Sequence, residues 1–294
     1  MHCRFLLAVA TMAAATTAGA QAVIPGQMHN SFLFELHSIQ DEVLLYEGDP
    51  QYLLKMNIQP SNTLLPHIAF SNTNQSVVLR LRDLSLFEPA VVDSIQAAED
   101  AELGINSDQE APAPVAQVWE VQIAPACAGD YVLTCEGGKG LFDFTDLPVH
   151  EVHLLADTTE VKVEFKRQNP MPLNRFKLTT RAGQVQIFQF MNARPVSASL
   201  QLDDSACEVE LTGKAFDGTG EIFFEGVPKR LKIVMPRNAG VRIEGPSGTV
   251  ARFDHAGMVV SGAALESKDF AARTCRLRLY FSRVIPKLDV QWGE

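Results

Sequence analysis

Between Val132 and Ile243 the chain repeats one phrase: a short alternation of apolar and polar residues, a turn-forming pair, and a second short alternation. Val132-Leu133-Thr134 leads through Gly137-Gly138-Lys139-Gly140 into Leu141-Phe142-Asp143-Phe144. Val152-His153-Leu154, Asp157-Thr158-Thr159 and Val161-Lys162-Val163-Glu164-Phe165 follow, then Phe176-Lys177-Leu178, Arg181-Ala182-Gly183 and Val185-Gln186-Ile187, then Leu200-Gln201-Leu202, Asp203-Asp204-Ser205 and Val209-Glu210-Leu211. A period of two puts successive side chains on opposite faces, so each run reads as a strand with one inward face. Leu133, Leu154, Leu178 and Leu202 stand 21, 24 and 24 residues apart, and Phe142, Val163, Ile187 and Leu211 keep those spacings. Two apolar positions with one period predict stacked repeats, none of which can bury its apolar face alone. The expected fold is all-β: a single-sheet or solenoid-like stack of short strands, right-handed and β-helix-like, with N-terminal strands packed on its first layers.

The flanks follow the same grammar less regularly. From Ser31 to Phe87, Phe32, Phe34 and Leu36, and later Leu79 and Leu81, alternate with polar residues, and Pro50, Pro60 and Pro66 mark turns. Val91 to Leu103 reads as a short acidic helix and Gly104 to Pro114 as a loop. The expected organisation is a signal peptide over 1–20, a strand region over 21–88, an acidic, proline-containing insertion over 89–114, and the solenoid over 115–294. Trp119 is placed to anchor the first layer, Gly183 and Gly240 to take positive φ at turns, and Leu288 to Trp292 to cap the stack.

The signal-peptide reading rests on Arg4, the apolar stretch Phe5 to Ala15, and the small residues Ala18-Gly19-Ala20 before Gln21. No later run is long enough for a spanning helix, so the expected setting is periplasmic or extracellular. Removing Arg4 changes 25 basic residues to 24 against 35 acidic ones, which disfavours nucleic acid and anionic lipid as partners. Asp93, Glu99, Asp100, Glu102, Asp108 and Glu110 stand without an intervening basic residue, as in a solvated loop. Cleavage would leave Cys127, Cys135, Cys207 and Cys275. In an exported chain they allow either two disulfides, with Cys127–Cys135 and Cys207–Cys275 the preferred pairing, or four buried thiols.

Past Val118 the chain resembles the toast-rack superfamily of bacterial envelope proteins, which includes LiaF-like domains and adhesin-type proteins built on short repeated β-layers. The residues carrying the likeness are Trp119 to Ile123, Gly137 to Leu147, Val161 to Pro170, and above all Leu231-Lys232-Ile233-Val234-Met235-Pro236 followed by Gly240-Val241-Arg242-Ile243. The acidic insertion, the four cysteines and the lack of a preceding membrane span depart from that pattern. The resemblance implies a non-catalytic exported domain used for binding, adhesion or envelope sensing, with no catalytic residues to carry over.

The candidate chemistry is sparse. Gly137-Gly138-Lys139-Gly140 lacks the Ser/Thr and the helix of a phosphate loop and reads as a turn. His150 and His153, three apart on a strand, are expected on opposite faces, away from a common metal. His67 is expected in a loop. Asp143 with Asp146, and Asp203 with Asp204, read as turn residues, since neither pair repeats from layer to layer as calcium ligands would. No cofactor is implied. Arg242, Arg252, Arg276, Arg278 and Arg283 form the one basic concentration, a possible partner face or a solvated edge. The leading expectation is a non-enzymatic envelope or surface protein that meets an envelope protein or glycan. The alternatives are a carbohydrate-active enzyme on a β-helix scaffold and a purely structural periplasmic module.

Overall fold

Alternation sets the strands, and the inward half of each builds the core. The computed structural model describes residues 20–25, 31–39, 41–59, 67–72, 76–82, 117–125, 128–254 and 257–293. The expected signal segment up to residue 19, the acidic helix and loop, and Cys127 lie outside the described residues. The strands run β1 (Ala20–Pro25), β2 (Ser31–Ile39), β3 (Glu42–Glu47), β4 (Tyr52–Gln59), β5 (His67–Asn72), β6 (Ser76–Arg82), β7 (Val118–Ile123), β8 (Gly129–Glu136), β9 (Lys139–Asp143), β10 (Val149–Asp157) and β11 (Glu160–Glu164). They continue as β12 (Leu173–Arg181), β13 (Gln184–Phe188), β14 (Pro195–Asp203), β15 (Ala206–Glu210), β16 (Gly218–Glu225), β17 (Arg230–Met235) and β18 (Gly240–Glu244). A one-turn helix α1 (Ser247–Val250) precedes β19 (Met258–Ser261), β20 (Ala264–Ser267), β21 (Cys275–Phe281) and β22 (Leu288–Trp292).

The fold is an all-β stack of two sheets. A twelve-stranded sheet has the order β19-β20-β18-β21-β16-β14-β12-β10-β8-β2-β6-β5, and a ten-stranded sheet the order β1-β4-β7-β3-β9-β11-β13-β15-β17-β22. Consecutive strands alternate between the sheets, so β8 with β9, β10 with β11, β12 with β13, and β14 with β15 each form one rung, pairing in parallel with the rungs on either side. The N-terminal strands adjoin the first layers as expected, and they do so as rungs in register: β2 with β3, then β6 with β7 beyond them. Antiparallel strands close that end, β5 on the larger sheet, and β4 and β1 on the smaller. At the other end β18 is laid down first and β21 enters between it and β16, with the β19–β20 hairpin outermost.

One inward ladder in the larger sheet runs Leu36, Leu133, Leu154, Leu178, Leu200, Phe224 and Phe281. Its counterpart in the smaller sheet runs Leu45, Phe142, Val163, Ile187, Val209, Ile233 and Val290. The expected partners Leu202 and Leu211 are replaced by Leu200 and Val209, two residues earlier. Both members of each pair are buried, and a shift of two keeps every side chain on its face. The cause is the connection: residues 165–172 join β11 to β12, whereas 189–194 suffice between β13 and β14.

The other edge turns more tightly. Gly137, Thr158, Ala182 and Asp204 hold left-handed conformations, with φ of 73°, 50°, 50° and 50°. The amide of each donates to the next turn, to Asp157, Arg181, Asp203 and Val227 respectively, so the ladder runs unbroken around the bend. The left-handed residue is Ala182, not Gly183 as expected, and Gly240 likewise has no positive φ. Gly183 is needed for space instead: a Cβ there would meet the Thr159 carbonyl oxygen at 2.7 Å.

Candidate functional site

Because the inward faces are filled, the side chains open to solvent lie on the outward faces. On the smaller sheet the outward charges neutralise one another. Lys232 donates to Glu208 at 2.7 Å, Gln186 reaches the same carboxylate at 3.2 Å, and Lys166 joins Asp143 at 2.5 Å and Glu164 at 3.0 Å. Lys232 holds the Glu208 carboxyl below its usual range. Lys162 pairs with Glu164 and lies over the Phe188 ring at 5.1 Å, a cation seated between a carboxylate and an aromatic face.

The larger sheet carries the histidines and most of the arginines. A β-bulge between Val149 and Glu151 corrects the expectation that His150 and His153 face apart. The extra residue turns His150, Glu151 and His153 all outward while Val149 and Val152 stay buried. His150 pairs with Asp130 at 3.0 Å and Asn174 at 2.8 Å, whereas His153 lies 3.5 Å from Glu151. Among the described residues no cluster of three metal-ligating side chains forms. His67 opens β5, so its position is a strand and not the expected loop.

Gly137, Gly138, Asp146 and Asp204 lie in turns, whereas Asp143 and Asp203 end β9 and β14, and Asp143 accepts a backbone amide of its own turn. Gly137 and Gly138 form the β8–β9 bend with positive φ. Asp143 accepts the Thr145 amide at 3.0 Å, and Asp146 pairs with Arg167. Asp203 accepts from Gln201 at 2.7 Å, and Asp204 pairs with Lys229 at 3.0 Å.

The five arginines divide. Arg242, Arg276 and Arg278 share the outward face of the neighbouring strands β18 and β21, with Arg278 directly opposite Arg242. Arg252 and Arg283 instead sit on the exposed connections after α1 and β21. Arg242 is engaged by Glu244 at 2.7 Å and Glu266 at 3.0 Å, and Arg278 lies 3.7 Å from Glu221. Two of the five, Arg242 and Arg278, are therefore paired with acids, and of these Glu266 and Glu221 lie far away in the linear sequence.

Next to these arginines lies a feature that was not anticipated. Phe223 on β16 and Tyr280 on β21 stand opposite each other, half-buried, with ring centroids 4.7 Å apart and planes 11° apart. Their neighbours Phe224 and Phe281 stack on the core side at 4.8 Å and 5°. Glu244 on β18 faces Tyr280 from the other side. Where these three strands end, Phe223, Tyr280, Glu225, Glu244, Gly245 and Ser282 line a depression of about 200 Å3. Gly245 on its lining packs closely on β21: its φ is 151°, and a Cβ there would meet Phe281 at 2.8 Å. A sequence signal existed. Phe223-Phe224 and Tyr280-Phe281 are adjacent aromatics in strands, and a period of two forces one of each pair outward.

The cysteines correct another expectation. Cys135, Cys207 and Cys275 are free and buried. Cys207 lies between Val185 and Leu231 in the smaller sheet, whereas Cys275 opens β21 in the larger. Facing sheets are about 10 Å apart, beyond the roughly 7 Å Cα separation that a disulfide spans, so the Cys207–Cys275 bridge is not formed. Burial pushes the Cys135 thiol up to about 11 and that of Cys207 up to about 12, above an ordinary 9.0. A thiol whose value rises on folding stabilises the fold below its unfolded value and loses that contribution as pH climbs towards the folded one. The denaturation midpoint should therefore fall between about pH 9 and pH 11. Cys207→Ala should flatten the decline, and a thiol reagent should reach Cys135, Cys207 and Cys275 only as the chain unfolds.

No helix of the described residues is long and apolar enough to cross a membrane. No protein-family model matches the chain, and no curated protein matches it. Among solved structures, a Clostridium sporogenes protein provisionally named for cell adhesion is similar over 94% of this chain and 99% of that one, at 11% identity and a TM-score of 0.44. A likeness this remote shows neither a family nor a function.

Proposed function

We propose that this protein is a non-enzymatic, exported binding module of the envelope or cell surface, of toast-rack type, which presents the outward face of its larger sheet to a protein or glycan partner. The observation that supports this reading is the Phe223–Tyr280 pair held outward beside a depression. Rigid aromatics at a surface concentrate binding energy, because they bring large contact area at small entropic cost. On strands β2, β8, β10, β12, β14, β16, β18 and β21 the other outward positions of that face are polar, charged or aliphatic.

The enzyme alternative draws on one feature, the two carboxylates Glu225 and Glu244 on the rim of the same depression. Glycoside hydrolysis uses two such groups flanking a scissile bond. The test runs both ways. The full chain is screened on a glycan array and used to capture partners from envelope extracts, and Tyr280→Ala is expected to weaken the captured interaction by at least about tenfold. Polysaccharide turnover that disappears in Glu225→Gln or Glu244→Gln would replace the binding reading with the enzymatic one.

A further inference from the structure

We infer that the depression beside Tyr280 receives the guanidinium of an arginine side chain from a protein partner. This rests on the binding reading above and names the partner's chemistry. The smaller sheet supplies the pattern in completed form: there Lys162 sits over Phe188 and pairs with Glu164. The depression has the same components without the cation. The Tyr280 ring stacks on Phe223 on one side, its strand position is paired with that of Glu244 on the other, and Glu225 stands on the rim. No lysine or arginine lines it. Arg242 approaches from outside and takes only Oε1 of Glu244, and Glu225 makes no ion pair among the described residues.

A guanidinium fits this set better than the alternatives. It is planar, stacks on aromatic faces and donates in several directions in one plane, so it can meet carboxylates from two different strands at once. Its apolar stem covers the ring edges of Phe223 and Tyr280 while the charge stays near solvent. An ammonium is a more strongly hydrated point charge and gains less from the ring. A neutral sugar would use the aromatic pair and leave the Glu225 carboxylate without a charged partner.

The test titrates the isotopically labelled full chain with N-acetyl-arginine methylamide and with its neutral isostere, N-acetyl-citrulline methylamide. The arginine compound should move the amide signals of 223–225, 244–245 and 280–282 saturably. Raising salt from about 0.05 to about 0.5 M should weaken it, because exposed charge pairs are screened. Glu225→Gln should reduce the affinity about threefold to fivefold while the rest of the spectrum stays in place, as befits an exposed side chain. Equal shifts from the citrulline compound, or shifts from glucosamine or glucose with none from arginine, would overturn the inference and favour a glycan. If arginine does nothing and partner capture still depends on Tyr280, the inference fails and the binding reading stands. If capture is also indifferent to Tyr280→Ala, both fail.

Discussion

Phe165→Ala is expected to remove about 3–5 kcal/mol of folding stability, a large share of what a domain possesses. Phe165 is fully buried at the bend after β11 and belongs to a continuous row of rings. Tyr131 meets Phe144 at 5.2 Å, Phe144 meets Phe165 at 5.6 Å, Phe165 meets Phe190 at 6.0 Å, and Phe190 meets Phe176 at 5.1 Å. A cavity at this point has rungs on both sides. The Phe165 amide is tied to the Phe188 carbonyl at 3.3 Å, and its own carbonyl accepts from Asn192 at 2.7 Å, so the backbone cannot close the space. Urea denaturation should show a lower midpoint with an unchanged slope, since the surface exposed on unfolding is nearly the same. Val196→Ala, at a side chain 47% exposed, should stay within about 0.5 kcal/mol. A loss below about 1 kcal/mol at Phe165 would mean that the bends are not packed to the density of a protein interior.

The same mid-stack position explains why the fold could be read from the sequence while its register could not. Leu133, Leu154 and Leu178 declare a ladder because three rungs of equal face repeat them, and the structure pairs them as expected. Leu200 and Leu202 are both inward, so alternation alone cannot choose between them, and the choice falls to the shorter bend at 189–194. Spatial order departs from chain order at both ends. β6 and β7 lie outside β2 and β3, and β21 slips in beside β16 after β18 has been laid down. Nothing local in an alternating strand says which neighbour it will find. That is also why the depression was hidden: Phe223 and Tyr280 become partners only through this insertion, across a gap in sequence with no repeat in it. The bulge at His150 hid the common face of the histidines in the same way, since one additional residue reverses strand parity.

A second repeating signal, polar and not apolar, runs along the bends, and it leads to a loss of similar size. Asn169 and Asn192 are buried, at 2% and 5% exposure. Asn169 donates back to the Val149 carbonyl at 3.0 Å. Asn192 donates back to Phe165 at 2.7 Å and accepts forward from the Lys214 amide at 2.8 Å, and its carbonyl takes the Asn169 amide at 2.7 Å. Such side chains supply partners that irregular backbone at a bend would otherwise lack inside the protein. Asn192→Ala orphans the buried Phe165 carbonyl and the part-buried Lys214 amide, for an expected cost of about 2–3 kcal/mol. Asn192→Asp keeps an acceptor for Lys214 but sets a charge against the Phe165 carbonyl. It should be as damaging at neutral pH and should recover part of its stability on acidification, when the protonated carboxyl can donate again. Asn238, exposed and holding only the Gly213 carbonyl at 3.0 Å, should tolerate alanine within about 0.5 kcal/mol. Denaturation of Asn169→Ala, Asn192→Ala and the double variant completes the comparison. Because a backbone hydrogen bond that both variants keep ties the two bends together, a shift of one bend displaces the other and the losses should not add, whereas independent costs would show each bend to be held on its own and not through its neighbour.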